Sequence, residues 1–490
     1  MKRSKRLSVL LGVLAVCCIL TLSVSKYEER KEKIKNSDEI IMELNSEDVT
    51  ELSWEYESET FAFHKDENWL YDEDEHFPVN EEKVNQLLKN FESFGVSFII
   101  EDADDLSQYG LSDPLCTIHI GLKEETHEIS LGNYSEMDEE RYVSIGDGNV
   151  YLVQDDPLDS FDIELSDMIQ HDEIPAMDSV SEIQFAGSEN YKAIYKENNE
   201  VTYSTEDVYF VKEGSDELPL DTGNIENYVE TISELNLTNY VSYDVTDEEL
   251  KSYGLDSPEL SVTLQYRAGD GEDEEEKEET VVLHISRDPV EKEKAESEAA
   301  KSSDRDKSGK DTETDTDTDE EITAYLRVGE SKIIYQISGP DYEDLMAASY
   351  NALRHQEVIW ADFEDISGVK ISLEGAEYEL IVKEKNKESI WYYQDDEIET
   401  DDFRNALNSL SASEFTEEEP TDKEEISLTL QIDSENQPEV EIDLYRYDGN
   451  KCLAVVDGEP VSLVNRGYVV DLIEAVNAIV LNYVNNFMGR

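Results

Sequence analysis

The sequence has few positive charges. Lysine and arginine together number 40 among the 490 residues, against 120 aspartates and glutamates, and the formal net charge is −80 at pH 7. A surface of this sign repels phosphate backbones and anionic lipid headgroups, so nucleic acid is excluded as a reasonable partner. The composition predicts a heavily solvated acidic surface. The alternative is a surface that attracts cations or a basic face of another protein.

Cysteine is also scarce, with four residues at Cys17, Cys18, Cys116 and Cys452. No CxxC spacing occurs among them, which argues against both a zinc site and a redox pair. Cys17 and Cys18 belong to an N-terminal apolar run, whereas the other two lie singly in predicted strands. We therefore expect Cys116 and Cys452 to be buried, unpaired thiols.

The sequence contains none of the common catalytic motifs: HExxH, GxSxG, the Walker phosphate loop and the dinucleotide-binding glycine pattern are all missing. The seven histidines do not cluster, and acidic pairs are so frequent that none stands out as an acid and a base. The sequence therefore predicts a protein that is not an enzyme. It assigns no catalytic, cofactor-binding or metal-ligating residue and no cofactor. A hydrolase with an unrecognised site is the alternative.

One segment begins like a calcium-binding loop. Asp315–Asp319 alternates aspartate with threonine, but Glu320 occupies the sixth position, where glycine is needed, and Leu326 occupies the twelfth, where a bidentate glutamate belongs. The segment therefore fails as an EF-hand, and weak Ca²⁺ binding at several sites is what remains. The acidic run Asp72–His76 is interpreted in the same way, as a solvated turn or a cation patch.

Long apolar runs are missing except at the N-terminus, where four basic residues precede Leu7–Val24. About 18 residues at a rise of ~1.5 Å are just enough to span the hydrocarbon core of a bilayer. Basic residues before the run and the acidic mass after it favour a cytoplasmic start and an external body. We expect a cytoplasmic basic start and transmembrane signal anchor over 1–25 and a charged stalk over 26–47.

Two other interpretations of the N-terminus remain open. Ser23-Val24-Ser25 resembles a small-x-small cleavage site, which would make the segment a cleaved signal peptide. Leu14–Cys17 resembles a lipoprotein signal, although a bulky valine precedes the cysteine and apolar residues continue beyond it. All three interpretations place the bulk of the chain outside the cytoplasm, and the signal anchor predicts a single-pass protein of the cell membrane.

An internal repeat organises the rest of the chain, whose length leaves room for about three domains. The stretch Tyr109–Pro114, followed by an alternating strand, returns as Tyr253–Pro258 with a similar strand after it. A third copy at Ile426–Gln431 keeps the strand and lacks the Tyr-Gly-Leu sequence. Gly110 and Gly254 are expected to have positive φ, and the proline then starts an extended run.

Each copy is preceded by three short strands and an amphipathic helix. The helical stripes have apolar residues at i, i+3, i+4 and i+7, which lays one face on a sheet. The stripes are Val84, Leu87, Leu88 and Phe91; Ile225, Tyr228, Val229 and Ile232; and Phe403, Ala406, Leu407 and Leu410. Asp147-Gly148, Asp457-Gly458 and Gly329 mark hairpin tips.

A second helix is predicted to close each copy, over residues 158–169, 342–355 and 467–487. The last is the most apolar, so it is either a buried helix at a module interface or a docking surface for a partner. The sequence thus predicts an α+β protein of three repeated modules, each an antiparallel β-sheet with two packed helices, after the transmembrane helix. The modules are expected at 48–177, 178–358 and 359–490.

The second module contains an acidic insertion at about 268–321. Apart from a predicted strand at Val281–Ser286, the insertion is rich in charged, serine and threonine residues and has too few apolar ones to offset the entropy of ordering. We expect it to be disordered.

The repeated stretches resemble the domain-of-unknown-function 4340 family. The residues that carry the resemblance are Tyr109–Pro114 with Leu131-Gly132 and Tyr142–Val153, and Tyr253–Pro258 with Ala324–Ile337, together with the N-terminal anchor. In the second copy His284-Ile285-Ser286 replaces the usual Leu-Gly, which predicts a distorted hairpin there.

The resemblance implies a membrane-tethered protein of the bacterial cell envelope. Some members of the family are encoded near ABC-type transporters and gliding-motility-like auxiliary proteins, and this context implies an accessory role without supplying catalytic residues. The leading hypothesis is a non-enzymatic binding or scaffold subunit of an envelope ABC-type transport system, with a transporter permease or an auxiliary envelope protein as partner. The alternative is a surface protein that binds cations or a cell-wall ligand.

Overall fold

The computed structural model describes residues 39–488, except 102, 104, 178, 198–199, 215, 269–276, 296, 298–321, 386–387 and 422. The chain forms two compact units, Met1–Asp172 and Glu173–Arg490. The expected anchor at 1–25 and most of the expected stalk lie outside the described residues. Within the part of the chain that is described, no helix is long and apolar enough to cross a membrane.

The first unit contains an eight-stranded antiparallel sheet with the order β4-β3-β2-β7-β8-β9-β10-β6, and a separate pair of strands, β1 and β5. The strands are β1 (Glu39–Met42), β2 (Val49–Tyr56), β3 (Glu59–Lys65), β4 (Trp69–Tyr71), β5 (Phe94–Val96), β6 (Phe98–Ile100), β7 (Cys116–Leu122), β8 (Thr126–Ser135), β9 (Glu140–Ser144) and β10 (Val150–Val153). The helices are α1 (Glu81–Glu92) and α2 (Leu158–Phe161), with 3-10 turns at Ser46–Asp48, Leu106–Tyr109 and Leu165–Met168.

The second unit contains two nine-stranded antiparallel sheets. The strands of one are β11 (Ser179–Ala186), β12 (Asn190–Tyr195), β13 (Tyr209–Glu213), β14 (Asp216–Pro219), β15 (Tyr240–Ser242), β16 (Leu260–Ala268), β17 (Lys277–Arg287), β18 (Ala324–Val328) and β19 (Ile334–Ile337). The strands of the other are β20 (Ile366–Leu373), β21 (Ala376–Lys385), β22 (Glu388–Tyr393), β23 (Asp396–Glu397), β24 (Ala412–Phe415), β25 (Glu424–Ile432), β26 (Glu439–Arg446), β27 (Lys451–Val456) and β28 (Glu459–Asn465).

The helices of the second unit lie between and after these strands. They are α3 (Thr222–Ser233), α4 (Asp247–Ser252), α5 (Gly339–Met346), α6 (Tyr350–Leu353), α7 (Asp401–Asn408) and α8 (Arg466–Met488), with a 3-10 turn at Phe363–Asp365. Residues 289–295 are also helical. The three predicted helical stripes fall on α1, α3 and α7, and most of their residues are buried. The exceptions are Val229, which is half-buried, and Leu410, which is buried but lies just beyond the end of α7. The α+β class with mostly antiparallel sheets is therefore confirmed.

The three large sheets share one strand order. In each, the first strand of the copy (β2, β11 or β20) lies beside a long strand that comes after the amphipathic helix (β7, β16 or β25). A short strand encoded between that helix and the long strand (β6, β15 or β24) lies at one edge of the sheet. The orders are β14-β13-β12-β11-β16-β17-β18-β19-β15 for the second sheet and β23-β22-β21-β20-β25-β26-β27-β28-β24 for the third. The expected boundary at 177 lies close to the division between the compact units, whereas the expected boundary at 358 has no counterpart in that division.

A β-bulge recurs at one place in these sheets. The first strand of each copy shifts register against its central neighbour, between Val49 and Glu51, between Val180 and Glu182, and between Ile366 and Gly368. A bulge inserts one residue into one strand and increases the local twist, and it is a specified feature of a fold rather than a defect. The three sheets therefore have the same local irregularity as well as the same order.

The core of the first sheet is aromatic. Trp54 in β2 stacks on Phe63 with ring centroids 5.7 Å apart, and Phe161 of α2 meets Trp54 edge-on at 5.4 Å. Phe91 of α1 lies 6.0 Å from Phe161. All four side chains are buried, so these contacts fix both helices on one face of the sheet.

The Tyr-Gly-Leu turns have the predicted backbone. Gly110 has φ 74° and Gly254 has φ 73°, so both lie in the left-handed region. Tyr109 packs against Tyr142 of β9 with ring centroids 4.9 Å apart, and Tyr253 packs against Tyr325 of β18 at 4.8 Å. The turn and the hairpin tyrosine occur together in the sequence because they are in contact in the fold.

The expectation of a distorted hairpin in the second copy was wrong. β17 and β18 pair in regular register from Leu283↔Val328 to Arg287↔Ala324. The irregularity lies in the first copy, where β8 shifts against β9 between Leu131 and Tyr134. Gly132 is packed directly on the carbonyl of Tyr109, so the glycine permits this close approach and the shift.

Replacement of Gly254 by alanine is expected to lower the free energy of unfolding of the second unit by about 1–2 kcal/mol. The residue has φ 73°, and an added Cβ would lie 2.8 Å from the hydroxyl of Ser286. Gly449→Ala is the matched control, because an added Cβ there meets no atom within 4 Å. Urea unfolding of the full chain measures both. Equal stability of the two variants would contradict the role of the turn.

Two of the three closing helices differ from prediction. The segment 158–169 is divided into α2 and the turn Leu165–Met168, because Ile169 pairs with Val79 and draws the chain out of helical geometry. The segment 342–355 is divided into α5 and α6, with Ser349 capping α6. α8 agrees with prediction, but Val469, Leu472 and Val476 are buried in the core of the third sheet itself, not at a module interface.

The expected stalk over 26–47 is also partly wrong. Glu39–Met42 is strand β1, which pairs with β5, and Met42 and Leu44 are buried. Met42 and Leu44 therefore pack in the core of the first unit, and 26–38 lie outside the described residues.

Cys116 and Cys452 are buried free thiols, as predicted. Burial raises the pKa of Cys116 to about 12 and that of Cys452 to about 11. Both thiols are therefore protonated at neutral pH, which suits a packing role and not a nucleophilic one.

The acidic insertion is ordered in its middle part. β17 runs over Lys277–Arg287, longer than the predicted strand, and residues 289–295 are helical. Glu259 ties this part to the sheet by pairing with Lys292 and accepting hydrogen bonds from the backbone of Arg287 and the phenol of Tyr342. The flanking segments 269–276 and 298–321 lie outside the described residues, as does the aspartate alternation at 315–319.

Candidate functional site

The candidate site lies where the two nine-stranded sheets of the second unit are joined. Residues 354–362, which follow α6, form the connection and are named the junction segment here. The backbone N–H of Asp221 donates to the carbonyl of Leu353, directly before this segment. The N–H of Val358 donates to the carbonyl of Leu410, and the N–H of Ala412 donates to that of Gln356, so the segment pairs with residues 410–412. The junction segment is thereby held from both sides.

A buried carboxylate organises the junction. Asp207 lies in the connection between β12 and β13, and its side chain is 3 % exposed. It accepts hydrogen bonds from the hydroxyl of Thr202 at 2.6 Å, from Nε1 of Trp360 at 3.1 Å and from Nε2 of His355 at 2.8 Å. These donors compensate the burial of its charge, which would otherwise be costly.

Two aromatic contacts fix the histidine. The imidazole of His355 stacks on the indole of Trp360 with centroids 4.2 Å apart and planes 7° apart. The Tyr203 ring lies 4.9 Å from the same indole, and its hydroxyl accepts a hydrogen bond from the backbone of Trp360. Burial raises the pKa of Tyr203 well above its usual value, so the phenol remains protonated. The side chain of His355 thus has one orientation.

Two further carboxylates face the exposed edge of this imidazole. Asp221 is the N-cap of α3: its Oδ1 accepts from the backbone of Gly223 and Asn224, and its Oδ2 lies 3.7 Å from Nδ1 of His355. Glu357 is exposed, and one ligand atom from each of Asp221, His355 and Glu357 lies within 4.8 Å of the others. A cavity of about 360 Å³ adjoins them, with Arg404 on its rim.

This arrangement combines the side-chain types that bind divalent metals. Nε2 of His355 must carry a proton to donate to Asp207, so the lone pair of the neutral ring is on Nδ1, toward Asp221 and Glu357. A histidine whose other nitrogen donates to a carboxylate is the usual arrangement around a metal ligand. Nothing in the group provides a nucleophile together with its base.

None of the junction residues was predicted as a site. His355 lies far along the chain from Asp207 and Asp221, and the histidines do not cluster in the sequence. The one available signal was Asp221, because an aspartate directly before the second amphipathic stripe predicts a helix N-cap. That signal accounts for Oδ1 of Asp221, which caps α3, but it does not predict the approach of Oδ2 to His355.

The patch at Asp72–His76 forms local pairs. Asp72 Oδ1 lies 2.6 Å from Nδ1 of His64, and Asp74 Oδ1 lies 3.2 Å from Nδ1 of His76. Hydrogen bonding to Asp72 raises the pKa of His64. These are exposed pairs within a turn. The group of possible metal ligands found among the described residues does not include them and lies at the junction segment.

A second polar cavity, of about 520 Å³, lies on the third sheet. Arg446 and Arg466 both contact Oε1 of Glu425, at 2.6 Å and 3.3 Å. Burial acts to raise the pKa of Glu425, but the hydrogen bonds from the two arginines outweigh it and lower that pKa. The two guanidinium groups are thus already compensated by a carboxylate of the same sheet.

The chain was compared with protein families, curated proteins and solved structures. The model of the family described as Domain of unknown function (DUF4340) matches residues 69–209 and 211–430. No curated protein and no solved structure matched the chain. The matched segments include both Tyr-Gly-Leu turns and the hairpin tyrosines packed against them. Because they make up well over half of the sequence, the chain belongs to the DUF4340 family.

Proposed function

We propose that the chain is a non-enzymatic scaffold built from three copies of one module, at 48–177, 178–358 and 359–490. The observation that carries the proposal is the recurrence of one strand order with one bulge at the same place in each sheet. Repeated modules place similar surfaces in series along a chain, and such proteins commonly serve as extended binding surfaces.

The junction segment supports a rigid connection between the second and third modules. Tyr203 of the second module packs on the core of the third, and Asn436 of the third donates to the carbonyl of Thr202. Aromatic packing and hydrogen bonding of this kind restrict bending between the modules. A pair of modules held in this way presents its surfaces at a constant spacing, which suits a subunit that positions other proteins.

The N-terminal sequence supports a location at the cell membrane. Basic residues before Leu7–Val24 favour a single-pass anchor in the cell membrane, with the acidic modules outside the cytoplasm. Together with the family resemblance, this points to an accessory subunit of an envelope ABC-type transport system. Its partner is then a transporter permease or an auxiliary envelope protein.

Co-purification of the tagged full-length chain from detergent-solubilised membranes tests this proposal. A permease of the ABC type is expected in the eluate, enriched over the eluate of an unrelated single-pass membrane protein carrying the same tag. Mild cross-linking before solubilisation protects weak assemblies. Recovery of the chain without a permease, under conditions that preserve other transporter complexes, would contradict the accessory role.

A further inference from the structure

We propose that Asp221, His355 and Glu357 bind one divalent transition-metal ion of the zinc class. The ligand atoms would be Oδ2 of Asp221, Nδ1 of His355 and a carboxylate oxygen of Glu357. Asp207 is the positioning residue, because it holds the imidazole through Nε2. This metal site goes beyond the scaffold role and does not depend on it.

Electrostatics supports a cation at this place. With the ring proton on Nε2, the lone pair of His355 Nδ1 and the carboxylate of Asp221 face each other at 3.7 Å, beyond hydrogen-bonding distance. Among the residues that the structure describes, no hydrogen-bond donor is recorded to Nδ1. Together with a carboxylate oxygen of Glu357, these ligand atoms all lie within 4.8 Å of one another, so a cation between them would be attracted by all three residues.

The geometry allows closure on a metal. Ligands at ~2.1 Å in a tetrahedral zinc site lie about 3.4 Å from one another. Asp221 and His355 are already near that separation, and the exposed Glu357 has the freedom to close the remaining gap. Three protein ligands leave a fourth position, which the adjoining cavity of about 360 Å³ leaves accessible to water or a small ligand.

The ligand set selects the class of ion. Imidazole nitrogen suits zinc, iron, nickel and copper, whereas calcium takes six to eight oxygen ligands. The group offers one nitrogen and two carboxylates, which is too few oxygen ligands for Ca²⁺. The site is therefore distinct from the diffuse attraction of cations by a chain with a net charge of −80.

The metal would also connect two parts of the unit. Asp221 belongs to the start of α3, whereas Glu357 lies in the part of the junction segment that pairs with Ser411. A ligand that binds only the folded state stabilises it by mass action. Binding should therefore raise the melting temperature of the second unit.

Titration of the metal-stripped full-length chain in detergent with Zn²⁺, followed by calorimetry, tests the proposal. One saturable site is expected above the weak background, and Co²⁺ should give the visible absorption of a low-coordinate site. His355→Ala and Glu357→Gln should each remove this site. Asp207→Asn should weaken it by roughly 10–100-fold, as expected for loss of an outer partner of a metal-bound histidine.

Three controls make the result decisive. Glu357→Gln changes an exposed side chain, so loss of binding there is not loss of folding. His119→Ala removes a histidine 3.9 Å from Glu128 in the first unit and should leave the zinc site intact. Ca²⁺ at matched ionic strength should bind without saturation and without dependence on Glu357.

Three outcomes would overturn the proposal. One is saturable zinc binding that survives both His355→Ala and Glu357→Gln, which would place it elsewhere. Another is tighter binding of Ca²⁺ than of Zn²⁺ at the same residues. The third is no saturable binding of Zn²⁺ by the wild-type chain.

Discussion

Replacement of Arg141 by methionine is expected to lower the free energy of unfolding of the first unit by about 3–5 kcal/mol. Nε of Arg141 donates to both carboxylate oxygens of Asp156, at 2.6 and 2.7 Å, and Nη1 donates to the carbonyl of Gly132 at 2.7 Å. Both side chains are 9 % exposed. The variant leaves the Asp156 charge buried without its partner, which costs more than the ion pair itself contributes.

Hydrogen exchange of the full chain, followed by mass spectrometry, measures this effect separately in the first unit. Peptides of β8 and β9 should lose protection, and peptides of the second unit should not. Lys83→Met is the matched control, because it removes the same charge from an exposed position of α1 and should change stability by no more than about 0.5 kcal/mol.

A double variant distinguishes the buried charge from lost packing. Arg141→Met with Asp156→Asn no longer leaves a buried charge, and the asparagine oxygen can still accept from the backbone of Leu158 as Asp156 does. The double variant should therefore be more stable than Arg141→Met alone. An Arg141→Met variant no less stable than Lys83→Met would refute the assigned role of the pair.

The second large effect is expected at Asp207. Its replacement by alanine removes the acceptor of three donors, from Thr202, Trp360 and His355. A buried donor left without a partner costs about 1–3 kcal/mol, and the three share one site, so we expect a loss of about 3–5 kcal/mol in the second unit. Asp207→Asn keeps one acceptor oxygen and should cost less.

Hydrogen exchange of the backbone amides at residues 200–208 and 353–362 measures this loss of stability directly. The control is Asp471→Ala, an exposed position of α8 at which alanine suits a helix, with an expected change within about 0.5 kcal/mol. Unchanged protection of both segments in Asp207→Ala would show that the junction does not depend on the buried carboxylate. The effect would be on stability, and the first unit should be unaffected.

The fold was largely predictable from periodicity and turn chemistry. The apolar spacing of Val84 to Phe91 predicts α1 because only a helix brings those positions to one face. The prediction for Gly110 was equally well determined, since the backbone of the turn requires positive φ. The closing helix at 158–169 was not predictable in the same way: its division depends on the pairing of Ile169 with Val79, a contact far along the chain.

The junction could not be derived from sequence. His355 and Trp360 lie near Asp207 only because the chain returns after a whole sheet has been formed, and no local pattern encodes that return. The sequence contains none of the common catalytic motifs. That absence says nothing about a site assembled from distant segments of the chain. Asp221 illustrates the difficulty, since its capping role is local and its approach to His355 is not.

The contact between Tyr253 and Tyr325 has a consequence for the acidic insertion. In the first sheet the corresponding tyrosines, Tyr109 and Tyr142, are separated by roughly half as many residues. The entropy of closing a flexible loop grows only with the logarithm of its length, so each doubling costs just about 0.6 kcal/mol. A pair of aromatic rings packed edge to face offsets a cost of this size. The connection between β17 and β18 is therefore a place where the gene can gain or lose codons with little effect on whether the sheet forms.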